Sequence, residues 1–347
     1  MDYKEFIEMV KQDLPQKLSG ILEGANISDA KVDKIQGNSY EGISITPAGS
    51  FMGVTMDLQS YFEMYNDGLS KEYVLERIAD TANSGYEQRP VLTKDMLLDY
   101  ETMKHRLVLQ VVGRENKEEM LKNIPHYDLA DLAVIYRLKF GQDDLGLATV
   151  TVTNGLLKEY GITSEQLHQD ALKQTLFDEP CFLKNMSEVI ADLSGDMFVP
   201  EMELPLFVAS NRSTINGASV IAYPDFMENA AKQLDGNFYL LPSSIHEVIL
   251  VPERLEMSVP ELQAMVQDIN ATQVRPEQRL SDYVYHYDSK EKVFERADRY
   301  VERKREQTQN GEIEPNSVLK TLHNRQKECM ERPKKEMVPH HHEEIAL

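Results

Sequence analysis

LFVASNRSTINGASVIAYPDFMENAAKQLDGNFYLLPSSIHEVILVPE, residues 206–253, is the stretch whose reading decides the fold. Its apolar residues come in short bursts separated by turn formers. LFVAS (206–210) has the length and composition of a strand. Asn216 and Gly217 form a dipeptide favoured in two-residue hairpins, so ASVIAY (218–223) reads as the returning strand. Pro224 suits the first turn of a helix, and PDFMENAAKQL (224–234) continues it to a stop at Gly236. FYLL (238–241) and VILV (248–251) are apolar at every position, the pattern of interior strands covered on both faces. PSSIHE (242–247) connects them. The pattern implies an α+β protein, with antiparallel or mixed sheets and flanking helices.

On the N-terminal side, Phe6, Ile7, Val10, Leu14, Leu18 and Ile21 follow helical spacing. A small meander follows, with strands marked by Val32 and Ile35, by Ile43 and Ile45, and by Met52, Val54 and Met56. Helices are expected over 58–65, 70–83 and 93–103, the last capped by Thr93, with a brief one over 115–121. RLVLQVV (106–112), residues 129–140 and residues 148–152 read as strands, the last ended by Asn154 and Gly155. Thr163 with Gln166, and Ser258 with Glu261, are capping-box pairs that open two further helices. Tyr283, Tyr285 and Tyr287 alternate as a strand, and EKVFERADRYVERKRE (291–306) reads as a charged helix. Residues 316–331 can form a short helix, and RPKKEMVPHHHEEIAL (332–347) has a disordered composition. The expected division is a lobe over 1–150, a second over 151–300 that can form one domain with it, and a tail over 301–347.

The chain has 347 residues, of which 41% are hydrophobic and 27% charged, enough to bury a core. Lys and Arg number 37 against 58 Asp and Glu, a net charge of −21. Residues 301–347 hold nine of each sign, so residues 1–300 carry the whole excess. Such a surface repels polyanions, which disfavours nucleic acid and anionic lipid as partners. No apolar run spans a membrane, and the N-terminus lacks a basic and apolar leader. A cytoplasmic protein is expected. Cys181 and Cys329 form no metal-type pair, and Cys181 reads as a small buried residue.

Together, NRSTINGASVIAYPDFMENAAKQL (211–234) and YLLPSSIHEVILVPE (239–253) resemble an uncharacterised bacterial family. That family is defined only as a domain of unknown function, common in gut Firmicutes and often near mobile elements. The resemblance covers about residues 1–300 and leaves out the tail. It implies a coherent domain in a bacterial cytoplasm. It implies no activity, ligand or catalytic residue.

The residues that invite a functional reading are Asn211, Arg212, Ser243, Ser244, His246 and Glu247. A serine and a histidine this close suggest a hydrolase, but a nucleophile also needs an orienting acid and an oxyanion hole. Glu247, adjacent to His246 in an extended segment, points to the other face, and no G-x-S-x-G elbow exists. The plainer reading is a polar corner whose serines satisfy backbone groups. Asn211 and Arg212 offer donors to an anion or carboxylate, and lie near residues 243–247 if strands 206–211 and 238–241 are neighbours. His126, Asp128 and Asp131 lack a metal-binding spacing, and Asp128 reads as a helix cap. His340 to His342 lie in the tail and are taken as incidental. No phosphate-binding glycine motif occurs, and neither a cofactor nor a metal is expected. The first functional reading is therefore a non-enzymatic binding protein with a protein partner. The alternatives are a small-ligand site or enzyme at Asn211, Arg212, Ser243 and His246, and an acidic mimic of nucleic acid.

Overall fold

The computed structural model describes residues 1–32, 40–50, 52–87, 92–115, 117–143, 146–194, 205–242 and 244–309. Helix α1 (Tyr3–Asp13) opens with a reciprocal cap. Asp2 accepts the Glu5 N–H at 2.8 Å, and the Glu5 carboxylate accepts the Asp2 N–H at 2.9 Å. Strands β1 (Asn26–Val32), β2 (Tyr40–Thr46) and β3 (Val54–Asp57) form an antiparallel meander in that order. Helices α2 (Gln59–Asn66) and α3 (Lys71–Glu87) follow. Period-two alternation turns Ile43, Ile45 and Met56 inward, where they meet Phe6 and Val10 of α1 and Val74 and Ile78 of α3. This core is drawn from residues 6–86.

Thr93 caps α4 (Lys94–Leu98), and α5 (Tyr100–Met103) leads into β4 (Leu107–Gly113), which is buried at every position. After α6 (Glu118–Leu121) come β5 (His126–Leu129), β6 (Leu132–Asp143) and β7 (Gly146–Thr151). The long β6 pairs with β4 along one edge, while β5 and β7 take successive halves of the other. Helix α7 (Asn154–Tyr160) ends at Gly161, whose φ of 65° suits glycine. Helix α8 (Ser164–Asp178), capped by Thr163, lies on β4, and its Thr175 hydroxyl accepts the Leu109 N–H at 3.2 Å.

The remaining elements are β8 (Cys181–Asn185), α9 (Met186–Ser194), β9 (Phe207–Asn211), α10 (Phe226–Leu234), β10 (Phe238–Leu241), β11 (Val248–Pro252), α11 (Val259–Thr272), β12 (Tyr285–Asp288), β13 (Val293–Arg296) and α12 (Ala297–Gln309). Six of the strands form an antiparallel sheet in the order β13-β12-β10-β11-β9-β8. Strand β10 explains its own sequence. Phe238 and Leu240 enter the main core with Leu109, Tyr136 and Phe226, while Tyr239 and Leu241 enter a second cluster with Leu262 and Val266 of α11. A strand dry on both faces must be apolar at both parities. The chain divides into a unit of Met1–Asp298 and a unit of Arg299–Leu347, in which α12 runs to Gln309. Among the described residues, no helix is long and apolar enough to cross a membrane.

Among the described residues the architecture is α+β with three antiparallel sheets, in keeping with the α+β reading of the sequence. Several local expectations change. ASVIAY is a 3-10 helix over Gly217–Ala222, not a strand, and Asn216–Gly217 closes no hairpin. Both edges of β9 are taken, by β8 and β11, which leaves 218–223 no ladder to join. Its N–H groups turn elsewhere, Ala218 to the Ile245 carbonyl and Ser219 and Tyr223 three residues back. Helix α10 starts at Phe226, two residues beyond Pro224. Asn154 and Gly155 begin a helix. Asp128 caps no helix but lies in β5, a strand that returns to β6 through Ala130 and Asp131. VFER (293–296) is a strand because Asp288 accepts the N–H groups of Lys290 and Glu291 and closes a hairpin, whose Phe294 stacks on Tyr285. Cys181 is exposed, since β8 is an edge strand. The tail readings at 316–331, 332–347 and Cys329 fall outside the described residues.

Candidate functional site

The expected corner forms where the end of β9 meets the connection from β10 to β11. Strands β9 and β10 are not neighbours, because β11 lies between them, yet β11 itself carries residues 246 and 247 toward Asn211. The Ser210 hydroxyl donates to the His246 carbonyl at 2.7 Å. Gly217 permits this approach. A Cβ there would overlap the Ser210 Oγ, the His246 carbonyl oxygen and the Asn211 nitrogen. Asn211, 3% exposed, donates from Nδ2 to the Ile215 carbonyl at 2.9 Å and receives the Ser213 hydroxyl at 3.4 Å. Its own carbonyl accepts the Thr214 N–H at 3.2 Å. The loop 211–216 is thereby folded onto Asn211, with Thr214 and Asn216 in the left-handed region at φ 57° and 52°.

The imidazole of His246 is held on both nitrogens. Nδ1 accepts the Asn216 N–H at 3.4 Å, and Nε2 lies 3.2 Å from the Gln278 carboxamide. Ser244 is 7% exposed, and its hydroxyl accepts the His246 N–H at 2.9 Å. Among the described residues no serine hydroxyl is bonded to the ring. Asn211, Ser244 and His246 thus come together. Arg212 is exposed, Glu247 is half-buried, and Ser243 lies outside the described residues.

Sequence reasoning missed three members of this corner. Ser210 and Gln278 complete the bonding of His246. Glu179, at the end of α8, accepts the Ser213 N–H at 3.0 Å and lies 3.5 Å from Lys139. Its backbone carbonyl accepts the Tyr223 hydroxyl at 3.0 Å, and burial raises the pKa of that phenol. No local signal marks these residues, because each arrives from a distant segment.

His126, Asp128 and Asp131 do not converge on a metal site. His126 Nδ1 bonds to the Ile124 carbonyl at 2.8 Å, while Asp131 accepts the Tyr285 hydroxyl at 2.5 Å. Among the described residues, no three His, Cys, Asp or Glu side chains are placed to share a metal. His340 to His342 fall outside the described residues.

Three cavities are lined by other residues. One of about 180 Å³ lies between the end of β4 and residues 276–283. One of about 290 Å³ is bordered by Lys4, Ile7 and Asp29, and one of about 430 Å³ by His105, Arg106, Lys139 and Asp178. Burial lowers the pKa of Lys117 in the first, and its ammonium donates to the Gly113 carbonyl at 3.1 Å.

Residues 3–289 match the family described as a family of unknown function (DUF5688), and the chain belongs to it. No curated protein and no solved structure matches the chain.

Proposed function

We propose that this DUF5688 member is a non-enzymatic binding protein of a bacterial cytoplasm, acting through contacts with a protein partner. The observation that carries the reading is the state of the 211–247 corner. Among the described residues, the polar groups of Ser210, Asn211, Ser244 and His246 are engaged within the corner. Ser210 and Ser244 serve the backbone of His246, and the ring of His246 serves Asn216 and Gln278. A nucleophilic serine needs a base within hydrogen-bond reach, and here the ring is committed elsewhere. A ligand site built on Asn211, Arg212, Ser244 and His246 has less support, since only Arg212 is exposed and the others are internally bonded. The net charge of −21 favours a basic partner face.

A fluorophosphonate probe followed by peptide mass spectrometry tests the reading. The expected result is no labelling of Ser210, Ser243 or Ser244. Labelling of any of them that disappears in His246→Ala makes the protein a serine hydrolase and overturns it. In parallel, captured proteins are compared between wild type and Arg212→Ala/Glu247→Ala at low and high salt. A partner kept at high salt but lost with that pair places the contact at the corner, and one lost only at high salt places it on the acidic surface.

A further inference from the structure

We infer that the cavity between the end of β4 and residues 276–283 binds a small zwitterion of the amino-acid class, carboxylate inward and ammonium outward. This site lies apart from the 211–247 corner and stands independently of the reading above.

The two walls are set by one close approach. A Cβ on Gly113 would lie 2.5 Å from the Leu280 carbonyl oxygen, so only glycine lets the end of β4 pack against that segment. The turn carrying Arg114, Glu115 and Lys117 then faces the segment carrying Arg279 and Asp282, with Asp131 of the β5–β6 hairpin beside them.

Charge accounting selects the ligand. Arg114 is paired with Asp128, outside the cavity. Asp131 is engaged by the Tyr285 hydroxyl at 2.5 Å and lies 3.6 Å from Arg296. That leaves Lys117 and Arg279 as cations and Glu115 and Asp282 as carboxylates. Among the described residues neither cation has an ion-pair partner. Lys117 donates to the Gly113 carbonyl, and Arg279 Nε donates to the Val274 carbonyl at 3.4 Å. Both cations are half-buried, whereas Glu115 and Asp282 are exposed. Asp282 is held in place by the Asn270 amide at 2.6 Å. A partly desolvated ammonium favours an anion beside it, which agrees with the lowered pKa of Lys117.

A dianionic phosphate would gain two cations and meet two carboxylates. A zwitterion meets opposite charge at both ends. Size points the same way. A volume of about 180 Å³ holds on the order of six water molecules, below the roughly 300 Å³ at which drug-sized pockets begin. A single amino acid matches that size.

Titration calorimetry on the full chain decides the matter. The probes are the genetically encoded amino acids, the α-amide and N-acetyl derivative of any that binds, and inorganic phosphate. The expected result is saturable binding of at least one free amino acid, weakened about tenfold or more in either derivative. Arg279→Ala should weaken it by a similar factor. Asp282→Asn should weaken the free amino acid more than its N-acetyl form. The ligand-free urea midpoint of each variant is the folding control, and Arg279→Lys, which keeps the charge, should retain part of the binding. Absence of binding by every amino acid, preference for phosphate, or binding indifferent to both variants overturns the proposal. Probe labelling reads the corner and calorimetry reads this cavity, so either can fail alone.

Discussion

Gly217→Ala is the sharpest perturbation of the polar corner. The φ of Gly217 lies outside the left-handed range, so its role is space, not backbone freedom. An added methyl must displace Ser210 Oγ, the His246 carbonyl and the Asn211 nitrogen, two of which are backbone atoms. Overpacking of a filled site costs about 1–3 kcal/mol. Moving Ser210 also breaks its hydrogen bond to His246, worth about 1 kcal/mol net. The expected loss is therefore about 2–4 kcal/mol, a large share of the 5–15 kcal/mol of a typical domain. The protein has no Trp, so urea unfolding is best followed by far-ultraviolet circular dichroism. Ser210→Ala alone should lose about 1 kcal/mol, and the double variant should lose less than the sum by about 0.5 kcal/mol or more, because one clash is gone. Asn216→Gly, which relieves a left-handed asparagine, should change stability by less than about 1 kcal/mol. A neutral or stabilising Gly217→Ala, or strict additivity with Ser210→Ala, would refute the close-packing argument.

Further predictions concern a buried phenol, a histidine and a thiol. Tyr285 is 0% exposed and its hydroxyl bonds to the Asp131 carboxylate, so Tyr285→Phe should cost about 1.5–3 kcal/mol in the same titration, and a loss below about 0.5 kcal/mol would count against that bond. Burial lowers the pKa of His168 below its ordinary value of 6.5, and its Nδ1 lies 2.9 Å from the Tyr136 hydroxyl. The stabilisation is therefore present above the unfolded pKa and lost as pH falls through the lower folded one. His168→Gln should flatten that acid limb, and an unchanged limb assigns it elsewhere. In a Cys329→Ser background, Cys181 should be alkylated in the native protein, but more slowly than free cysteine near neutrality, because partial desolvation of the exposed residue's sulfur raises its thiol pKa. A Cys181 that reacts only in denaturant would contradict its exposure on β8.

What the sequence reveals follows from which interactions are local. The caps at Thr163 and Ser258 are legible because the bonded atoms lie three residues apart. FYLL is legible because two-sided burial writes itself into both parities of four residues. ASVIAY is not legible, since its composition suits a strand and only the occupied edges of β9 forbid one. The VFER strand is hidden for the opposite reason: its charges suit a helix, and the hairpin closed by Asp288 decides otherwise. At the corner, Asn211, Ser244 and His246 can be suspected from their types, whereas Gln278 and Glu179 come from remote parts of the chain. The amino-acid-sized cavity leaves no local trace, since its charges come from residues 114–117, 131 and 279–282.

Strand β10 has a kinetic consequence. Phe238, Tyr239 and Leu240 pair with β11 on one side and β12 on the other, and both faces of the strand are dry. No small opening can bring solvent to these amides. Freeing them requires parting two ladders and two cores together, so their exchange with deuterated water should report the opening of the whole cooperative unit. The amides of 238–240 are therefore a built-in gauge. Their slowest exchange rate, converted to a free energy, should equal the global stability from urea.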